Sequence, residues 1–200
     1  MVVKLEVGLQ QTKSNRAQSA ICEATIRLLA SIGYSETSLN RVARSAGYTK
    51  GAVQYHYPTK ESLIAATVDR LLSRTMQAHE VQPETVEGAL LSDWQRLINT
   101  AGYRALMEIL HATRTDDALQ RRIAEDLLAW GRNLDAQSRG RYTAADGDAD
   151  DVVMLINMTR SFMRGLLIQE QYGINQEQSL AYVQRWIELI APLLRLKADS

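Results

Sequence analysis

The stretch Thr37-Ser-Leu-Asn-Arg-Val-Ala-Arg-Ser-Ala-Gly-Tyr-Thr-Lys-Gly-Ala-Val-Gln-Tyr-His-Tyr-Pro-Thr-Lys-Glu-Ser-Leu63 decides the fold of this chain. It reads as two short helices around a tight turn, followed by the start of a third. Thr37 or Ser38 caps the first helix, because a short hydroxyl accepts a bond from an orphan N–H of the first turn. Leu39, Val42 and Ala43 fall at i, i+3, i+4 and give it one apolar face, leaving Asn40, Arg41 and Arg44 off that face. Gly47 sits where the helix must end in the left-handed region, which costs glycine little. Thr49 caps the second helix, Lys50 to about Tyr57, whose Ala52 and Val53 point inward and whose Lys50, Gly51, Gln54 and Tyr55 point outward. Pro58 stops it, and Thr59 caps the next helix with Glu61 in its first turn. Read from periodicity alone, the stretch is either a helical hairpin with a wet polar face or a helix-turn-helix that lays its second helix in the major groove of DNA.

Outside that stretch the chain reads as all-helical, with three prolines in 200 residues and almost no alternating apolar pattern. Residues 1–13 are expected to be a loose arm. A first helix carries Ala17, Ala20, Ile21, Ala24, Leu28 and Ile32 before Gly33-Tyr34. A long helix after Thr59 keeps Ile64, Thr67, Val68, Leu71, Leu72, Thr75, Met76 and His79 on one face, and Pro83 ends that linkage. Further helices are expected near 84–99, 102–113, 116–139, 149–172 and 175–197, with a polar connection over 139–147. The helix at 149–172 is apolar nearly all round, so it must be covered on more than one side.

Charge separates the two ends of the chain. Residues 1–60 hold eight Lys and Arg against three Glu, a net +5 in a chain whose 23 basic and 23 acidic residues balance overall. A basic N-terminal part suits a polyanion, since phosphate neutralisation supplies much of the affinity for nucleic acid. The single cysteine, Cys22, excludes an internal disulfide and fits a reducing compartment. No apolar run is long enough for a membrane span. His56, His79 and His111 share no metal-ligand spacing. Asp146, Asp148, Asp150 and Asp151 fail the calcium-loop pattern, because Asp151 stands where glycine is needed and Asn157 where glutamate is needed. No nucleophile, base and orienting group can be assembled, so an enzyme is the weakest reading and no cofactor is expected.

Residues 37–63 resemble the DNA-binding segment of the TetR family of bacterial transcriptional regulators. Thr37, Ser38, Val42, Ala43, Ala46, Gly47, Lys50, Gly51, His56, Lys60, Glu61 and Leu63 match its pattern, and the helix before them extends the likeness over roughly 14–70. Tyr48, Thr49, Gln54 and Tyr57 depart from it. The resemblance implies a three-helix DNA-binding domain at 14–60 and a helical ligand-binding and dimerisation domain at 61–200. It implies that Lys50, Gly51, Gln54 and Tyr55 approach base edges of double-stranded operator DNA, with Ser38, Thr49, His56 and Lys60 on phosphates and Thr37 and Asn40 beside them. It further implies a cytoplasmic homodimer formed through the last two helices, 149–172 and 175–197, and a small-molecule effector that releases a repressor from its operator. Candidate effector contacts are Trp94, Tyr103, Met107, His111, Trp130, Met154, Asn157, Met158 and Phe162, aromatic and Met side chains with a few polar groups. A protein partner in place of the small molecule is the alternative.

Overall fold

Each helix of the decisive stretch begins and ends where its local chemistry dictates. The computed structural model describes residues 2–77 and 83–197, with side chains described from Gln11 onward except those of Gln77 and Ala149; His79 lies outside the described residues. Helix α1 spans Val2–Glu36, α2 Leu39–Ala46, α3 Lys50–His56 and α4 Lys60–Gln77. Ser38 Oγ accepts the Arg41 N–H at 3.4 Å to cap α2, and Thr49 Oγ1 accepts the Ala52 N–H at 3.1 Å to cap α3. Gly47 takes φ 74° and ψ 28°, and its N–H and that of Tyr48 close onto the Arg44 and Ala43 carbonyls. Thr59 Oγ1 accepts the Ser62 N–H at 3.1 Å at the start of α4. The helices enclose a core of Ile21, Cys22, Ala24, Val42, Ala43, Val53, Tyr57 and Leu63, against which Leu28, Leu39, Ala46 and Ala66 pack. A polar pair within this core is served internally, Tyr57 Oη lying 3.4 Å from Cys22 Sγ.

Helix α1 starts at Val2, so the segment expected to be a loose arm is helical. It contains no proline, and over residues 2–13 the good helix formers Lys4, Leu5, Glu6, Leu9, Gln10, Gln11 and Lys13 offset Gly8 and the β-branched Val and Thr. The helix loses its regular dihedrals at Gly33, φ 77° and ψ 175°.

The chain divides into two units. One comprises residues 1–73 and 101–125, the other 74–100 and 126–200. The first therefore includes α6, Ala101–Ala112, and the start of α7, Asp117–Arg141, in addition to the helix-turn-helix. Within it α6 packs along α1. The Tyr34 N–H donates to Glu108 Oε2 at 3.3 Å, and the Tyr34 hydroxyl donates to Asp116 Oδ2 at 3.2 Å. Lys60 Nζ donates to the Tyr34 carbonyl at 2.6 Å and lies 3.9 Å above the tyrosine ring.

The second unit holds α5, Val86–Asp93, a π-helical turn at Trp94–Ile98, the end of α7, α8 at Ala149–Gln169 and α9 at Gln176–Ile190. The single helix expected over 84–99 is thus two pieces, the Asn99 N–H bonding five residues back to the Trp94 carbonyl at 2.8 Å. Trp94, Leu90, Met163, Val183 and Leu194 are among its most buried side chains. The described residues are overwhelmingly helical, as expected, with two short strands beside the helices: β1, Tyr142–Ala144, pairs antiparallel with β2, Leu194–Leu196, with Ala144 opposite Leu194. The last helix stops at Ile190, short of the expected 197, because Pro192 cannot continue the ladder. The polar connection at 139–147 is in part β1, whose Tyr142 and Ala144 are buried on one face.

Ile21 is fully buried in the first unit. Ile21→Ala is expected to lower unfolding stability by about 2–5 kcal/mol, read from the denaturant midpoint. Burial, together with the Asp116 charge and hydrogen bond, raises the Tyr34 phenol from 10.0 to about 12. The folded state therefore holds this proton more tightly than the unfolded chain. The stability it confers is intact below about pH 10 and is lost as pH rises toward about 12. Tyr34→Phe should make that alkaline decline shallower by one proton in the denaturation midpoint plotted against pH.

Candidate nucleic-acid interface

Helix α3 is anchored through one face and bare on the other. Val53 is fully buried, whereas Lys50, Gly51, Gln54 and Tyr55 are exposed, Tyr55 to 83%. His56 is half-buried and meets the Tyr55 ring edge-on, centroids 5.2 Å apart. A Cβ added at Gly51 would meet nothing within 4 Å, so the fold does not demand glycine there. What glycine provides is an open patch through which a flat partner can approach the backbone. A cation, an amide and a phenol flanking that patch are suited to phosphates and base edges.

The remaining expected contacts divide by how far the fold has already used them. Ser38 and Thr49 are exposed, and each cap leaves its hydroxyl proton free to donate outward. Asn40 is exposed on α2. Thr37 is only 1% exposed and its hydroxyl donates to the Gly33 carbonyl at 2.8 Å, which makes it part of the α1–α2 corner. Lys60 is half-buried over Tyr34, and its ammonium has a lowered pKa, through burial first, which nearby Glu61, Asp116 and Glu36 oppose. Arg41, which the sequence leaves free for solvent or phosphate, pairs with Glu36 at 2.9 Å.

Two features go beyond the sequence reading, which offers Lys13 to the phosphate backbone and does not single out Arg16. Lys13 and Arg16 of α1 join Tyr48, Tyr55 and His56 around a groove of about 480 Å³ beside α3. The only sequence signal for Arg16 was its charge. In the second unit the Tyr142 hydroxyl and Gln137 Oε1 are buried with no hydrogen-bond partner among the described residues. The Tyr142 phenol is raised by burial and the nearby Asp93 charge, while Arg141 and Arg160 pull the other way.

The candidate effector contacts are shared between the two units. Tyr103, Met107 and His111 belong to α6 in the first unit, with Tyr103 buried and His111 exposed. In the second unit Trp94 is buried, and Trp130 donates from Nε1 to Thr75 Oγ1 at 2.7 Å. Phe162 stacks on Trp186 at 4.9 Å. Met154, Asn157 and Met158 lie on the exposed face of α8, with Asn157 bonded to Asp135 Oδ1 at 3.2 Å. Asp148 caps α8 by accepting the Asp150 N–H at 2.8 Å. Among the described residues no three His, Cys, Asp or Glu side chains are placed to hold a metal ion. No helix among them is long and apolar enough to cross a membrane.

Residues 21–67 match the family model described as bacterial regulatory proteins, tetR family. The chain is 29% identical over 205 residues to the HTH-type transcriptional regulator TtgR of Pseudomonas putida, covering 94% of each. It is 28% identical to the probable HTH-type transcriptional regulator ArpR, also of Pseudomonas putida, over the same share of both. A TetR transcription regulator from Haloarcula marismortui ATCC 43049 superposes with a TM-score of 0.64 at 22% identity, over 90% of this chain and 100% of that one.

Gly51→Ala separates the role of this residue from its cost. Alanine at an exposed, uncrowded helical position should raise stability by about 0.5–1 kcal/mol, while the added methyl weakens binding to duplex DNA. Lys50→Ala should weaken DNA binding and lower the slope of log affinity against log salt by about one. Both are read by titrating labelled DNA at several salt concentrations.

Proposed function

We propose that this chain, which belongs to the TetR family of transcriptional regulators, is a cytoplasmic, effector-responsive repressor that reads double-stranded operator DNA as a homodimer. The observation that carries the reading is the bare face of α3. Lys50, Gly51, Gln54 and Tyr55 stand exposed on a helix whose other face is locked by Val53. In this reading those four approach base edges, Ser38, Thr49 and His56 hold phosphates with Asn40, and Lys13 and Arg16 add backbone charge beside them. Thr37 and Lys60 act on the helix-turn-helix from inside it.

The dimer reading rests on apolar surface left uncovered on the last two helices. Met154, Met158 and Ile168 of α8 are 52, 48 and 47% exposed, at a spacing that keeps them on one helical stripe. Tyr182 and Leu189 of α9 and Leu193 just beyond it are 47, 55 and 46% exposed. A two-fold axis through such a face lets the same residues cover each other. Met154, Asn157 and Met158 then belong to the subunit interface, and the effector is left to the interior of the second unit. There the Tyr142 hydroxyl and the Gln137 side-chain carbonyl, unpartnered among the described residues, offer polar handles in a unit that also buries Trp94. An effector releases DNA only in so far as it favours one arrangement of the subunits over the other.

The test is binding to the DNA upstream of the gene, at two salt concentrations and against unrelated competitor, with a footprint. Salt-sensitive, competitor-resistant binding with a two-fold symmetric footprint is the expected result, and equal affinity for all sequences would count against it. Met158→Glu combined with Leu189→Glu should convert the dimer to monomers in sedimentation and abolish the symmetric footprint.

A further inference from the structure

We propose that Tyr34 is a positioning residue for DNA recognition: with Glu108, Asp116 and Lys60 it clamps the helix-turn-helix to the α6–α7 corner. The proposal rests on the reading of α3 as the recognition helix. Tyr34 spends its N–H, its carbonyl, its hydroxyl and its ring face within the first unit. The N–H goes to Glu108 on α6, the hydroxyl to Asp116 just before α7, and the carbonyl and ring to Lys60, the first residue of α4. Gly33 leaves room for the Glu108 carboxylate, because a Cβ there would lie 3.0 Å from Glu108 Oε2. Its φ of 77° turns the chain so that the Tyr34 N–H can face the carboxylate.

The geometry ties recognition to this corner through a short path. Lys60 follows the end of α3 by four residues, and Tyr57, between them, closes α3 through its N–H on Val53 at 2.8 Å. A movement of α6 that drags Tyr34 therefore drags the Lys60 ammonium, the first turn of α4 and the end of the recognition helix together. Apolar packing supports the unit beside these bonds, since Leu106, Ile109 and Ala105 of α6 and Ile26 and Leu29 of α1 are all buried. The polar contacts add direction, which apolar burial lacks. None of Tyr34, Glu108 and Asp116 is on α2 or α3, so changing them removes no residue assigned to the DNA face.

The experiment measures binding of the full chain to its own upstream DNA for Tyr34→Phe, Glu108→Ala and Glu108→Gln, with melting curves alongside. Tyr34→Phe and Glu108→Ala should weaken specific binding about threefold to thirtyfold. The salt slope should stay unchanged, because no phosphate contact is lost. Glu108→Gln should restore binding, since the amide oxygen still accepts the Tyr34 N–H. Wild-type affinity in variants that only melt earlier would overturn the clamp, as would equal losses for Gln and Ala. Amide hydrogen exchange supplies a readout without DNA. Glu108→Ala should speed exchange across α2–α4 and leave α8 and α9 as they were, and unchanged α2–α4 exchange overturns the proposal. Failure of the wild-type chain to prefer any DNA sequence instead overturns the recognition reading, and the clamp is then decided by exchange alone.

Discussion

The burial of Val53 is the contact on which the function depends. Helix α3 has seven residues, far fewer than the roughly 12–15 that a helix needs to persist alone in water. It exists because Val53 is inserted among Ile21, Ala24, Val42, Ala43, Tyr57 and Leu63, and because Thr49 and the Tyr57 N–H close its two ends. The outward face is then held in a defined orientation at no further cost. A reading helix must present polar groups to a partner, so it cannot satisfy them internally. The core carries the stability that those groups do not.

The same economy explains which polar groups stand free. Where a side chain is needed to shape the corner, the fold uses it: Thr37 on the Gly33 carbonyl, Lys60 on the Tyr34 carbonyl, Cys22 with Tyr57, Arg70 with Glu23 at 2.6 Å. Elsewhere the fold leaves polar side chains exposed and uncommitted to the core, as with Lys50, Gln54 and Tyr55. The Tyr142 hydroxyl and Gln137 Oε1 are among the exceptions in the second unit, buried and still unpartnered among the described residues, and that is an expensive condition for a polar atom. Exposed Met and Leu side chains on α8 and α9 are the apolar counterpart, surface that a chain gains nothing by leaving wet.

Legibility followed the range of the interaction. The caps at Thr49 and Thr59, the left-handed Gly47 and the stop at Pro58 are all decided within four residues and each was readable, while the first cap, open between Thr37 and Ser38, falls to Ser38. The first departures came where a local signal was present but weak: Pro192 ends α9 early, and Tyr142-Thr143-Ala144 is a short β-forming run inside a polar connection. The pairing of residue 144 with 194 depends on about fifty intervening residues, and no window on the sequence contains it. Likewise Thr37 and Lys60 carry residue types suited to phosphate, and only the position of Gly33 and Tyr34 reveals that both are already engaged.

By itself the sequence determined the helix-turn-helix, its inward and outward faces and the basic charge of its end of the chain, because helix periodicity, capping and turn chemistry act between near neighbours. The tertiary structure alone decided that α6 joins the unit of the helix-turn-helix and that Glu108 and Asp116 meet Tyr34. Those outcomes depend on which apolar faces find each other across long stretches of chain, and burial is non-directional, so the pattern of one segment does not name its partner.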